Sequence, residues 1–563
     1  MKTNTEIRRT LAAAIVAALA MVAIVPASAQ SWTKKASRSV FTLKTFAADG
    51  SLLASSNGFF VGDNGEAVST FQPFRGAQRA IVIDAQGKEM AVDRILGAND
   101  TYDVVRFRVD TKKSVPLALA PKAGEGSTAW ILPYREARQC AQGVVKKAET
   151  FNDSYAYYTL AMAMPEQAVG CPLMNDEGLV LGLMQQPASE RDTMAYAVDA
   201  SFAAQLALNG LSINDATLRS TGIRKDLPND LEQANLMVYM AAAKMDSTSY
   251  AALVDDFIAK FPDAPDGYTY RAQNQAEANN FSAAAADMAT AIDKAGKKDE
   301  AHFNYARLIY QKELYKADKP YADWTLDKAY AEAETAWQLN PQPVYRHLQA
   351  QVRFAQQRFA DAATLLAQVN GSDLRSAETL YEASRCQEML RDTTAQLALL
   401  DSAVATFSQP YLKEAAPYLF ARAQARINAS RFRDAVADLN EYETLMPTGL
   451  NDRFYYMRHQ ADMGGRLFQQ ALNDIDKAIT LNPNYALYYA EKASLQVRVG
   501  RYDDAIETAT ACTKLDADYS DGFLFLGLAQ CLKGNKADGV ANLKRAKELG
   551  DNQADELIEK YAK

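Results

Sequence analysis

Residues 471–478, 505–512 and 539–546 read ALNDIDKA, AIETATAC and GVANLKRA. Their first members, Ala471, Ala505 and Gly539, are spaced by 34 residues each, and Ile475, Ala509 and Leu543 keep step with them, as do Ala478, Cys512 and Ala546. Small or apolar side chains four and seven positions apart fall on one face of a helix. His459, Ala493 and Gly527 lie twelve residues before each first member, where a second helix packs against the first. A fixed interval of this size means one helix-turn-helix unit stacked on the next. Earlier copies stand at Ala435 with Leu439 and Pro447, Ala362 with Leu366, Ala329 with Ala333, Ala336 and Pro341, and Ala284 with Met288 and Ala291. The periodicity begins after about Pro228 and predicts an all-α array over 229–550, about eight helix pairs. Lys316 to Leu326 lengthens one unit, and Asp551 to Lys563 supplies a charged terminal helix to cover the last apolar face.

Small residues at the helix crossing, with proline after the second helix as in Leu481-Asn482-Pro483 and Leu339-Asn340-Pro341, resemble the tetratricopeptide repeats. That resemblance implies a solenoid whose first helices line a concave groove for extended peptides. Carrying the spacing over makes Phe420, Gln424, Arg453, Tyr456, Gln460 and Ser494 the candidate groove residues. Tyr and Arg suit a binding surface because each combines contact area with hydrogen bonding.

From Ser39 to about Val198 the pattern is different: short apolar runs, often alternating and rich in Val, Phe and Tyr, separated by turn signals. Val40 to Phe46 is one run. Asp63-Asn64-Gly65 and Ala85-Gln86-Gly87-Lys88 each sit between two apolar runs and read as hairpins. Further strands are expected near Val104 to Val109, Thr128 to Leu132, Tyr155 to Leu160, Leu179 to Leu183 and Met194 to Val198. Many short strands at close spacing mean a barrel or a sandwich.

Four segments occur here in a family order: Ser56-Asn57-Gly58-Phe59-Phe60-Val61, Gly65-Glu66-Ala67-Val68-Ser69-Thr70-Phe71-Gln72, Asn99-Asp100-Thr101-Tyr102-Asp103-Val104-Val105, and Gly170-Cys171-Pro172-Leu173 with Gly178-Leu179-Val180-Leu181-Gly182. They resemble the trypsin-like serine peptidases of the exported HtrA/Deg type over about 31–205. The resemblance implies a multidomain chain: an all-β trypsin-like double barrel at 31–205, a linker at 206–228 and an all-α tetratricopeptide solenoid at 229–550, with a capping helix at 551–563.

Peptide cleavage on this scaffold needs a hydroxyl nucleophile, an imidazole to take its proton and a carboxylate to orient the imidazole. The position matching the family's His is Gln72, the Asp is matched by Asp103, and the nucleophile position, three residues before Pro172-Leu173, holds Val169. The glycine two residues before the nucleophile is replaced by Gln167. An amide does not accept a proton near neutral pH and Val has no nucleophilic atom. The only histidines are His302, His347 and His459, all inside the helical repeats. Cys171 stands two residues beyond the nucleophile position with no imidazole in its own domain, which leaves it a buried thiol or half of a disulfide with Cys140.

The N-terminus reads as a signal peptide over 1–29: Lys2, Arg8 and Arg9 precede the apolar run Leu11 to Val25, and Ala27-Ser28-Ala29 offers small residues for cleavage before Gln30. Export to the periplasm or beyond follows, with no transmembrane segment after cleavage. A net charge of −8, from 61 Lys and Arg against 69 Asp and Glu, excludes a nucleic-acid partner. The five cysteines match no metal spacing, no glycine loop for phosphates occurs, and Asp255-Asp256 and Asp503-Asp504 fall on solvated helix faces, so neither metal nor cofactor is expected. The function this implies is an exported, non-catalytic adaptor whose solenoid binds a protein or peptide. The alternative is an active serine endopeptidase with a different catalytic set, and Gln72 and Val169 separate the two.

Overall fold

The computed structural model describes residues 31–135, 140–187, 189 and 192–562, so the expected signal peptide lies outside the described residues. The chain forms two compact units. One holds the described residues up to Ala278 together with Ser282–Lys294; the other holds Asn279–Phe281 and the chain from Ala295 onward.

In the first unit, a helical turn α1 (Thr33–Ala36) leads into β1 (Val40–Phe46), β2 (Leu52–Phe60), β3 (Glu66–Ser69), β4 (Arg79–Ile83), β5 (Glu89–Asn99) and β6 (Val104–Val109). These close a barrel in the order β1-β2-β3-β6-β5-β4. Strands β7 (Thr128–Ile131), β8 (Ala141–Phe151), β9 (Tyr155–Leu160), β10 (Pro172–Met174), β11 (Val180–Gln185) and β12 (Ala195–Asp199) close a second. Counted from the first strand of each, both rings run 1-2-3-6-5-4, so one topology is used twice. This is the trypsin-like double barrel that the sequence motifs imply.

Strand alternation explains why the runs are so apolar. Phe41, Phe60, Ala67 and Val105 point into the first barrel, while their neighbours Val40, Phe59, Val68 and Val104 point out of it. The outward set packs with Trp130, Met174, Leu183 and Val198 in a shared layer between the barrels. At these positions both faces of the strands are therefore buried. Both expected hairpins form. Gly65 has φ +78°, and a Cβ there would meet the Val109 carbonyl oxygen at 2.3 Å, so glycine is required. At the second turn the Asp84 carboxylate accepts from the backbone N–H groups of Gln86 and Lys88, both at 2.9 Å.

The expected linker is not a spacer. After α2 (Ala200–Gln205), Leu208, Leu218 on α3 (Ala216–Arg219) and Ile223 enter the core of the first barrel, and Ile95 bridges to Lys225 in parallel. Its apolar side chains have a core within reach, and they use it. An ion cluster continues the attachment: Arg94 contacts Asp226 at 3.2 Å and Asp256 at 3.8 Å, and Arg224 also pairs with Asp256.

Helix pairs follow: α4 (Leu231–Ala242) with α5 (Ser247–Lys260), and α6 (Pro265–Glu277) with α7 (Phe281–Lys294). The second unit continues with α8 (Lys298–Tyr315) and α9 (Leu326–Leu339), α10 (Pro343–Ala355) and α11 (Phe359–Asn370), α12 (Ala377–Met389) and α13 (Thr393–Val404), and α14 (Ala416–Asn428) and α15 (Phe432–Leu445). It ends with α16 (Asp452–Gly465) and α17 (Phe468–Leu481), α18 (Ala486–Arg498) and α19 (Tyr502–Leu515), α20 (Ser520–Lys533) and α21 (Lys536–Glu548), and the single α22 (Ala554–Tyr561). That makes nine pairs among the described residues, against the eight expected. The long loop before α9 is anchored by Trp324, 1% exposed, whose Nε1 donates to the Tyr305 hydroxyl at 3.1 Å. At the last crossing, a Cβ on Gly527 would sit 2.7 Å from the Gly539 carbonyl oxygen, so the two helices meet backbone to backbone. Ala554 of α22 is buried against the final pair, with Leu557, Ile558 and Tyr561 packed around it.

Candidate functional site

The two barrels enclose a cavity of about 820 Å³. Thr42 of β1, Ser56 and Asn57 of β2, and Thr70, Gln72 and Asp103 line it from the first barrel; Gln167, Val169 and Gln186 line it from the second. The three positions singled out in the sequence, Gln72, Asp103 and Val169, thus share one cavity although up to 97 residues separate them. Gln72 opens a single 3-10 turn after β3, Asp103 sits in the loop before β6, and Val169 lies in the loop before β10.

Asp103 serves the backbone. Its Oδ1 accepts from the Gln72 N–H at 2.7 Å, and its carbonyl accepts from the Phe71 N–H at 3.3 Å. Two bonds to one turn explain how a non-glycine residue holds φ +47°. Burial pushes its carboxyl above the usual carboxylate range, against the lowering effect of those N–H groups. Among the lining residues Asp103 is the one titratable group; the others offer hydroxyls and amides, with Ser56 Oγ 3.2 Å from Thr70 Oγ1. The cavity can exchange hydrogen bonds with a peptide.

Asn57 holds the loop of the second barrel in place, a role that motif reading did not assign. It is 8% exposed, and its Nδ2 donates to the carbonyls of Gln167 at 2.7 Å and Val169 at 3.1 Å. Gly170 then passes so close to β2 that a Cβ would meet the Asn57 carbonyl oxygen at 2.1 Å, while Gln167 takes φ +57°. The only sequence signal was the Ser56-Asn57-Gly58 motif itself.

No disulfide joins Cys140 to Cys171. The two belong to different layers: Cys171 is buried in the core of the second barrel, and Cys140 packs against the layer between the barrels. Burial pushes the Cys171 thiol up to about 12 and the Cys140 thiol to about 11, which removes nucleophilic thiolate at neutral pH.

All three imidazoles bond within the helical array. His302 Nδ1 lies 2.6 Å from Glu332, His347 pairs with Glu382, and the fully buried His459 donates from Nδ1 to the Ala471 carbonyl at 2.9 Å. Of the candidate groove residues, Gln424, Arg453 and Gln460 are exposed, while Tyr456 and Ser494 are half-buried. Tyr456 stacks near His459 and donates its hydroxyl to Glu491 at 3.2 Å. Phe420 packs against Tyr442, 5.0 Å between ring centroids, as part of an interhelical core.

No family model matches the chain. Part of it is 26% identical over 106 residues to the small glutamine-rich tetratricopeptide repeat-containing protein 2 of Saccharomyces cerevisiae, covering 19% of this chain and 31% of that protein. Another match, to the TPR repeat-containing thioredoxin TDX of Arabidopsis thaliana, is 30% identical over 82 residues, 15% of this chain and 22% of the relative. The chain therefore spans less than a third of the length of these curated relatives. Among solved structures, the Rv3671c protease from M. tuberculosis in its active form aligns over 31% of this chain and 82% of its own, with 17% identity and a TM-score of 0.27. The serine endoprotease from Yersinia pestis aligns over 35% and 68%, with 14% identity and a TM-score of 0.28. The repeated strand order and the helix pairs define the class: a trypsin-like double barrel followed by tetratricopeptide repeats.

Proposed function

We propose that this protein is an exported adaptor: a trypsin-like double barrel that does not cleave peptides, carrying a tetratricopeptide array that binds a protein or peptide partner. The observation that carries this reading is the make-up of the cavity, where Gln72 and Val169 accompany Asp103 in a chain whose only histidines are His302, His347 and His459. Without an imidazole no side chain there combines proton acceptance near neutral pH with a neighbouring nucleophile. The N-terminal charge and apolar pattern supports export to the periplasm or beyond.

Two measurements test it. The full chain should take no covalent label from a fluorophosphonate probe and release no fragments from a denatured protein substrate. Labelling at any serine would overturn the non-catalytic half, and hydrolysis abolished by a thiol alkylator would point to Cys171. Affinity capture from the envelope fraction of the source cell should recover a partner that Arg453→Glu with Gln460→Ala loses; equal recovery would remove the groove from the reading.

A further inference from the structure

Four consecutive helix pairs stand in register by their own intervals. On the first helices Arg422, Arg458, Lys492 and Leu526 are equivalent, as are Arg426, Asp462, Gln496 and Gln530 one turn later. On the second helices the series is Asp438, Asp474, Thr508 and Asn542. The steps of 36, 34 and 34 residues are those from Ala435 to Ala471, Ala505 and Gly539.

In the first, second and fourth copies this interhelical space holds a hydrogen-bonded pair. Arg422 grips Asp438 with Nε and Nη2 at 3.0 and 2.7 Å, and Arg426 adds a bond at 2.6 Å. Arg458 grips Asp474 at 2.6 and 2.8 Å and reaches Asn440 and Glu443 of the preceding pair at 2.9 and 2.7 Å. In the fourth copy Asn542 donates to Gln530 Oε1 at 2.8 Å.

The third copy lacks such a pair. Lys492 has turned to Asp476 at 2.7 Å, Thr508 stands where the carboxylate was, and Gln496 is 3% exposed with its Oε1 unpartnered. A pocket of about 340 Å³ occupies the space, lined by α17, α18 and α19 and including Asp476, Lys492, Gln496, Asp504, Glu507 and Thr508. That lies within the range of roughly 300–1,000 Å³ for ligand sites. Of the three carboxylates, Asp476 is paired with Lys492 and Asp504 with Arg501, which leaves the charge of Glu507 uncompensated and the lining net negative.

We propose that this pocket binds the guanidinium of an arginine side chain on a partner peptide, which takes the position that Arg458 holds one repeat earlier. A planar guanidinium carries five N–H donors and suits a space closed elsewhere in the array by bidentate Arg–Asp pairs. Gln496 Oε1 is the buried acceptor for one N–H, Glu507 supplies the charge, and Asp504 would exchange Arg501 for the incoming cation. The proposal rests on the adaptor reading only for the source of the arginine. A failed titration would empty the pocket without touching the groove, and a failed groove variant would do the reverse.

The experiment is calorimetric titration of the full chain with acetyl-Gly-Arg-Gly-amide and with its neutral citrulline counterpart. Saturable one-site binding of the arginine peptide is expected, about tenfold or more weakened by citrulline, because the charge-assisted bonds are lost. Thr508→Asn copies the Gln530–Asn542 pair into this repeat and should weaken binding by a similar factor. Lys492→Arg with Thr508→Asp copies the Arg458–Asp474 pair, and should abolish binding while raising the melting temperature. Equal affinity for citrulline, arginine binding undiminished in both folded variants, or no saturation at millimolar peptide would each overturn the proposal.

Discussion

The barrels and the helical array handle buried polar groups in opposite ways. Between the barrels each polar side chain has one role in one place: Asn57 ties β2 to the loop of Gln167 and Val169, and Asp103 holds the turn at Gln72. In the array the same interhelical position recurs, filled by Arg422 with Asp438, then Arg458 with Asp474, then Asn542 with Gln530. A change in the barrels has no second copy to be read against. In a repeat, a departure such as Thr508 is visible because its neighbours define what belongs there.

The contrast can be broken most sharply at Arg458, 4% exposed and bonded to Asp474. Arg458→Ala strands buried carboxylates and should cost about 3–5 kcal/mol, read from helical ellipticity during denaturant unfolding. A loss below about 1 kcal/mol would mean the recurring pair is ornamental. In the barrels, Asn57→Ala removes the donor shared by the part-buried carbonyls of Gln167 and Val169 and should cost about 0.5–1.5 kcal/mol. Limited proteolysis should then open the chain near Val169, and an unchanged digest would dissociate Asn57 from loop positioning.

A pH titration sharpens the comparison from another side. Asp462 is fully buried, and its carboxyl is pushed up to about 7 by burial and by the facing Asp474, with Arg458 and His459 pulling it down. Because the folded value lies above the ordinary 3.8, the folded array holds a proton that the unfolded chain releases. Its contribution is complete below pH about 4 and is lost as pH rises through about 7, with a slope of at most about 1.4 kcal/mol per pH unit. Asp462→Asn should flatten that slope; an unchanged profile would remove the residue from it. The smallest effect is expected at the exposed Arg501–Asp504 pair, where Arg501→Ala should change unfolding by no more than about 0.5 kcal/mol. A larger loss would mean that this rim of the pocket is structural.

Much of the architecture was legible in the chain. The first members of the repeats, Ala284, Ala329, Ala362, Ala435, Ala471, Ala505 and Gly539, all fall at the fourth residue of a second helix. The two pairs without such a signal have Tyr250 and Gln396 at that place, so the spacing by itself marks seven of the nine pairs among the described residues. Strand β8 was missed because its run, Ala141–Phe151, alternates with Lys146, Lys147 and Glu149 instead of staying apolar. The candidate triad positions were found because family order survives in local motifs. Asn57, the packed segment after α2, and the separation of Cys140 from Cys171 were not, because each depends on which surface the chain meets far along its length.

What the sequence determined by itself was therefore whatever repeats or patterns locally: the helix period, the strand alternation, and the residue types at Gln72, Asp103 and Val169. Tertiary structure decided which of those residues meet and which polar atoms are left unmet, as at Asp462 and Gln496. Hydrogen bonding and burial are settled by partners in space, and a linear text records neither their distance nor their absence.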